Sequence, residues 1–112
     1  MIAVYIASPY TKGDVALNVK AQLDAYNTLL EAGFAPFAPL MSHFNHMAHP
    51  QPYEVWLKVD LEWVERCDIV LRLPGESSGA DGEVKFAQEK GIPVYFSINE
   101  LINDKDLYEN SK

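Results

Sequence analysis

Residues 67–90 constrain the fold more than any other stretch of this chain. Ile69-Val70-Leu71 with Leu73 is a short apolar run of the kind that forms a strand buried on both faces. Pro74-Gly75 stops it, and the seven residues that follow, 76–82, are small, polar or flexible. From about Asp81 the composition favours a helix, with Val84 and Ala87 three apart and Gly91 supplying a stop. The segment reads strand, loop, helix, and puts a carboxylate, Glu83, in the first helical turn. In open α/β sheets the turn at the carboxyl end of a strand is where ligands bind.

Glu83 also has a plain explanation, because acidic residues in a first turn complement the helix dipole. Its surroundings shift the balance. Ser77, Ser78, Gly79 and Gly82 let backbone approach a ligand closely and offer donors to an anion or a sugar. A carboxylate projecting into such a loop is a candidate nucleophile.

The remainder of the chain alternates in the same way. Ile2 to Ala7 reads as a central strand leading into the loop Ser8-Pro9-Tyr10-Thr11-Lys12-Gly13. Asp14 caps a helix whose apolar positions Val15, Val19, Leu23, Tyr26 and Leu30 predict its inward face, and Gly33 ends it. Phe34 to Phe37 is a second strand, short or at an edge because of Pro36 and Pro39. Residues 39–52 read as a long connection carrying His43, His46 and His49, and connections of that length are usually functional or lids. A metal site is not expected there: zinc usually takes four ligands and the single thiol, Cys67, lies next to a strand, which leaves the histidines facing solvent or substrate.

Residues 53–66 form the second helix. Glu54, Lys58, Glu62 and Arg66 make one charged stripe, while Val55, Trp56, Leu57, Val59, Leu61, Trp63 and Val64 cover most of the girth. One small core cannot take all of these, which predicts a homodimer or larger assembly through this helix. Asp60 is the exception on the apolar side, four residues after Trp56 and three before Trp63. Desolvation by those rings would raise its pKa and hold a proton on it; the alternative is an aspartate at the rim of that face. Ile92 to Phe96 reads as the last strand, Ser97 to Glu100 as a capping box opening a short helix, and residues 103–112 as a polar tail expected to fray.

Strands alternating with helices predict an α/β fold: a small, doubly wound parallel sheet of four to five strands flanked by helices, Rossmann- or flavodoxin-like, with strand order near 2-1-3-4. The loops after the first and third strands, 8–13 and 74–82, then open into one crevice. With 112 residues there is room for one domain spanning 1–112. A net charge of −7 argues against a nucleic-acid polymer as partner, although a small nucleotide held by local donors fits. The apolar runs are too short to cross a bilayer, no charged-then-apolar leader pattern is present, and one cysteine fits a reducing cytosol.

Tyr5-Ile6-Ala7-Ser8-Pro9-Tyr10, Asp60 ahead of Cys67-Asp68, and the run from Leu73 to Glu83 resemble the nucleoside 2-deoxyribosyltransferase superfamily, in particular its small phage and bacterial members. The deoxynucleoside 5′-monophosphate N-glycosidases are more distant relatives. The likeness spans residues 2 to about 96 through short motifs. It implies Glu83 as the nucleophile that forms a glycosyl ester at the sugar C1′, Asp60 as the residue that assists at the nucleobase, and Tyr5 as the hydrogen-bond donor to the nucleophile. Ser77 matches a serine that contacts phosphate in the monophosphate hydrolases. Two departures stand out. The glycine-rich first loop of those hydrolases is here Ala7-Ser8-Pro9-Tyr10, which narrows or reshapes the sugar pocket. Lys12 is the only cation in that loop, roughly where the hydrolases carry an arginine.

The implied site therefore comprises Glu83, Asp60 and Tyr5 with Ala7, Ser8, Pro9, Tyr10, Lys12, His43, Ser77, Ser78, Gly79 and Gly82 around a nucleoside or its 5′-monophosphate, without cofactor or metal. Retaining cleavage of an N-glycosidic bond needs one ionised carboxylate and one acid. Glu83 at a helix N-terminus is expected to be the ionised group and Asp60 the protonated one. Two other classes remain open, a nucleotide sensor that binds without cleaving and an interaction module built on helix 53–66.

Overall fold

The computed structural model describes residues 1–109. Strand β1 (Ala3–Ala7) leads into helix α1 (Val15–Glu31), followed by β2 (Ala35–Phe37), α2 (Leu40–Ala48) and α3 (Tyr53–Arg66). Then come β3 (Ile69–Arg72), α4 (Ser78–Glu89), β4 (Val94–Tyr95), α5 (Ile98–Asn103) and α6 (Lys105–Glu109). The four strands form one parallel sheet in the order β2-β1-β3-β4, the predicted arrangement. β1 and β3 are adjacent, with Tyr5 opposite Val70 and Ala7 opposite Arg72. The Asp68 carboxylate accepts from the Ala3 amide at 2.8 Å, tying the starts of the two strands together.

Alternation along the strands separates two cores. Ile2, Val4, Ile6, Ile69 and Leu71 face α1 and α5, where Ala25, Leu29 and Leu101 meet them. Tyr5, Ala7 and Val70 face the other way, against Val64 of α3 and Ala80 and Ala87 of α4. Each fully buried aliphatic side chain of this kind is worth about 1.5–3 kcal/mol of transfer free energy. Helices thus cover both faces of the sheet.

Three sequence expectations need correction. The inward face of α1 is Gln22, Ala25 and Leu29, not the predicted apolar stripe, of which Val15, Leu23, Tyr26 and Leu30 lie at the surface. A buried glutamine misleads hydropathy periodicity, and the Gln22 amide has no hydrogen-bond partner among the described residues. Residues 39–52 are not a long connection: Leu40–Ala48 is helical, with Pro39 as its N-cap and Pro50 beyond its end. Prolines at helix boundaries punctuate rather than break. The predicted polar tail carries a helix, α6, from Lys105 to Glu109. Ser97 caps α5 through the Glu100 amide at 3.3 Å, and α6 is held by Tyr95, whose hydroxyl bonds Asp104 and Tyr108, each at 2.7 Å. The last residues of that predicted tail, 110–112, lie outside the described residues. Among the described residues no helix is long and apolar enough to cross a membrane.

Candidate active site

A cleft of about 630 Å³ opens at the carboxyl ends of β1 and β3. Its sheet-side wall comes from the loop after β1 and the first turns of α4; α2 and the first half of α3 close the other side. Ser8, Tyr10, Lys12, His43, Asp60, Ser77, Ser78, Gly79 and Glu83 line it, so the topology brings together most of the residues singled out in the sequence.

Others from that set do not line it. Ala7 is buried in the α3–α4 core, and Gly82 is not among the lining residues. Pro9 is buried beneath the loop, where it packs on Gly75: a Cβ there would come within 2.8 Å of its Cγ. Gly75 adopts φ +117°, open to glycine alone, so the two loops bordering the cleft fit together through that missing side chain. Tyr5 is fully buried under the floor and reaches the site through its hydroxyl.

Glu83 sits differently from expectation. α4 begins at Ser78, because the Ser77 hydroxyl accepts from the Ala80 amide at 3.0 Å and caps the helix three residues earlier than predicted. Glu83 is therefore in the second turn, and the helix dipole acts mainly on the first. Ala80, Glu83 and Ala87 form the inward stripe of α4, which puts the carboxylate on the buried face, 7% exposed. Tyr5, on the sheet face below α4, donates its O–H to Glu83 Oε2.

Electrostatics follow from that burial. The Glu83 carboxyl is pushed up to about 8, chiefly by burial and further by Asp60, with the Tyr5 hydrogen bond and the Arg72 charge opposing. Burial also raises Asp60 to about 6, against the Ser42 hydroxyl that donates to its Oδ1 at 3.2 Å. The order of the two acids is the reverse of the one expected from sequence. Burial, Glu83 and Asp60 all raise the Tyr5 phenol, so it stays an O–H donor. Cys67, half-buried, is lifted to about 11 by burial and Asp68 and stays a thiol.

The outer wall carries most of what sequence reasoning missed. Tyr10 and His43 stack with ring centroids 3.7 Å apart and planes 9° from parallel. Burial and the neighbouring His46 lower the His43 pKa, so this ring is neutral. His46 Nδ1 accepts from Trp56 Nε1 at 2.8 Å and from the Gln51 amide at 3.2 Å, which fixes its ring with any proton on Nε2. The signal available was the pairing of histidines with the tryptophan of α3. Trp63 stacks instead on Phe37, at 5.0 Å, on the sheet side. Lys12 lies 3.6 Å from Glu76, both exposed. Among the described residues no group of three or more His, Cys, Asp or Glu could hold a metal ion.

No curated protein matches the chain in sequence. Among solved structures, a 2-deoxyribosyltransferase from the psychrotolerant bacterium Bacillus psychrosaccharolyticus is similar, with a TM-score of 0.64 and 22% identity. The match covers 82% of this chain and 69% of that one. At that identity the likeness concerns the fold. A family model described as a domain of unknown function, DUF7768, matches residues 2–97, and the chain belongs to that family.

Proposed function

We propose that this protein cleaves the N-glycosidic bond of a nucleoside or nucleoside 5′-monophosphate, or transfers its (deoxy)ribosyl group, through a covalent ester on Glu83. One observation carries the reading: two carboxyls of different environment, Glu83 and Asp60, share one cleft, and a buried tyrosine hydroxyl holds the first of them. The fold shared with a 2-deoxyribosyltransferase supports it.

In this reading a Glu83 carboxylate oxygen attacks C1′ while the bond from C1′ to the base nitrogen breaks, and its electron pair leaves with the base. Asp60 gives its proton to that base. Water or a second base then takes the sugar from Glu83, restoring the carboxylate and returning a proton to Asp60. The Ser8 hydroxyl, buried and without a partner among the described residues, is free to bond the sugar. Ser77, Ser78 and the amides at the start of α4, with Lys12 beside them, suit a 5′-phosphate. The Tyr10–His43 stack and Trp56 suit the base.

Before substrate binds, the proton of the pair rests on Glu83, since about 8 exceeds about 6. Attack needs it on Asp60, a transfer across two pKa units that costs about 3 kcal/mol. Positive charge growing at C1′ favours the Glu83 anion and offsets that cost as the reaction proceeds. The pair titrates as a unit, so kcat/KM follows a bell with limbs near 6 and 8. A panel of deoxynucleosides and their monophosphates, followed for free base, tests the activity. Trapping with a 2-fluoro sugar analogue is expected to add the sugar's mass to the peptide containing Glu83. Nucleotide binding with neither base release nor adduct would establish a sensor instead.

The assembly reading is narrower than the sequence expectation. Val64 is buried in the core, while Trp56 and Leu57 line the cleft; Val55 and Val59 remain outward on α3, with Trp63 partly exposed where it stacks on Phe37. A second copy on this face is the proposed partner, and a monomer mass by light scattering at high micromolar concentration would refute it.

A further inference from the structure

Arg72 ends β3 and is 8% exposed, a rare setting for a guanidinium unless partners surround it. Its Nη1 donates to the Leu73 carbonyl. Its Nη2 donates to the Gly75 carbonyl at 2.9 Å and to Asp81 Oδ1 at 2.9 Å. One side chain thus joins the end of a central strand, the 73–75 turn and the first turns of α4. The arrangement is oddly built for a structural clamp, because the carboxylate paired with Arg72 is at the surface, with the Asp81 side chain 72% exposed. Asp81 and Glu83 lie two apart on α4, so one turns outward while the other faces the sheet.

We propose that Arg72 is a positioning residue of the Glu83 site: its buried guanidinium, held by three hydrogen bonds, anchors the first turns of α4 to β3 and is the cation of that site. The inference rests on the glycosyl-transfer reading for its purpose, but its physical content is independent of it. Three groups act on Glu83 from the elements packed around it, and a fourth acts on one of them. Tyr5 of β1 donates a hydrogen bond, Asp60 of α3 repels, and Arg72 of β3 attracts. Asp81, on α4 itself, partly neutralises Arg72. Arg72 is the one cation among them, and without it burial and Asp60 act on the carboxylate opposed only by a neutral phenol. The three backbone and side-chain bonds of Arg72 need a planar fork, which lysine does not supply.

The test reads the Glu83 titration directly in the ligand-free protein, by carbon-13 NMR of labelled glutamate carboxyls, with Glu83→Gln assigning the resonance. Arg72→Gln is expected to raise the Glu83 midpoint by about one pH unit. Asp81→Asn, which leaves Arg72 in place and removes its counter-charge, is expected to lower it. Arg72→Lys keeps the charge without the fork, so its midpoint stays near wild type while kcat drops. A Glu83 midpoint that stays put in folded Arg72→Gln overturns the proposal. Should that variant not fold, Asp81→Asn decides, and an unmoved or raised midpoint there overturns it equally. If the midpoints shift as stated and wild type never releases base, the positioning role stands and the glycosyl-transfer reading falls. Base release with unmoved midpoints does the opposite: the positioning role falls and glycosyl transfer stands.

Discussion

The two walls of the cleft are built by different rules. On the sheet side Glu83, Tyr5 and Arg72 are buried, mutually bonded or coupled by charge, and seated on central strands and the inward stripe of α4. On the outer side α2 has no buried residue and no side-chain cap. What holds it among the described residues includes a hydroxyl on Asp60, a ring stacked on Tyr10 and a histidine bonded to Trp56. Those are cleft residues too. A group that must attack one atom gains from a rigid seat. In the proposed reaction, groups that only have to recognise a base can sit on a lightly tethered helix, where substitutions change affinity before they change chemistry.

The largest expected effect breaks the rigid wall. Glu83→Gln keeps the shape and the Tyr5 hydrogen bond but removes the attacking charge, so base release is expected to fall by about three orders of magnitude or more with substrate binding retained. Steady-state release and equilibrium binding on one preparation check this, and residual release within about tenfold of wild type would remove Glu83 from the mechanism.

The same substitution is expected to stabilise the fold in base. The Glu83 pKa rises from 4.5 to about 8 on folding, so its contribution is fully present below about 4.5 and is lost as pH climbs through 8. At pH 9 the wild type keeps a charge in a buried seat, and Glu83→Gln is expected to be more stable by a few kcal/mol. The difference shrinks toward pH 5. Denaturant melts at the two pH values measure it, and equal stability at pH 9 would show that Glu83 is not desolvated.

Smaller effects belong to the outer wall. Trp56→Ala removes the bond to His46 and one aromatic surface of the cleft. It is expected to weaken substrate binding about tenfold with kcat little changed. A kcat loss at unchanged affinity would contradict the division between the walls. Ser42→Ala, smallest of all, deletes the hydroxyl that opposes the rise of the Asp60 pKa. The acidic limb of the rate profile then moves up by a few tenths of a unit, and release near pH 7 increases by about two- to threefold because Asp60 holds the proton more often. A fall in rate would show that Ser42 matters for placing Asp60 rather than for its acidity.

Legibility from sequence follows the same division. Strand order and the convergence of the loops after β1 and β3 were legible, because Ile69-Val70-Leu71 permits little but a central strand and Pro36 points to an edge. The α1 face was not, since Gln22 interrupts the apolar stripe at a fully buried position. α2 was hidden by its flanking prolines. The burial of Glu83 depends on where α4 starts, and a serine cap three residues earlier moved it from the dipole's reach into the core. Arg72 left a faint signal, since it interrupts an apolar run between Leu71 and Leu73, the kind of break that marks a buried charge with a partner elsewhere.

The borders of the sheet carry a consequence for solubility under stress. In β2 the Ala35 amide bonds the Ile2 carbonyl, so by alternation the peptide groups of Pro36 face the open side, where proline has no N–H to give. At the opposite border β4 is two residues long. Neither border offers the row of donors and acceptors that templates strand addition from another molecule. Fibrillar growth by sheet extension is disfavoured from both ends.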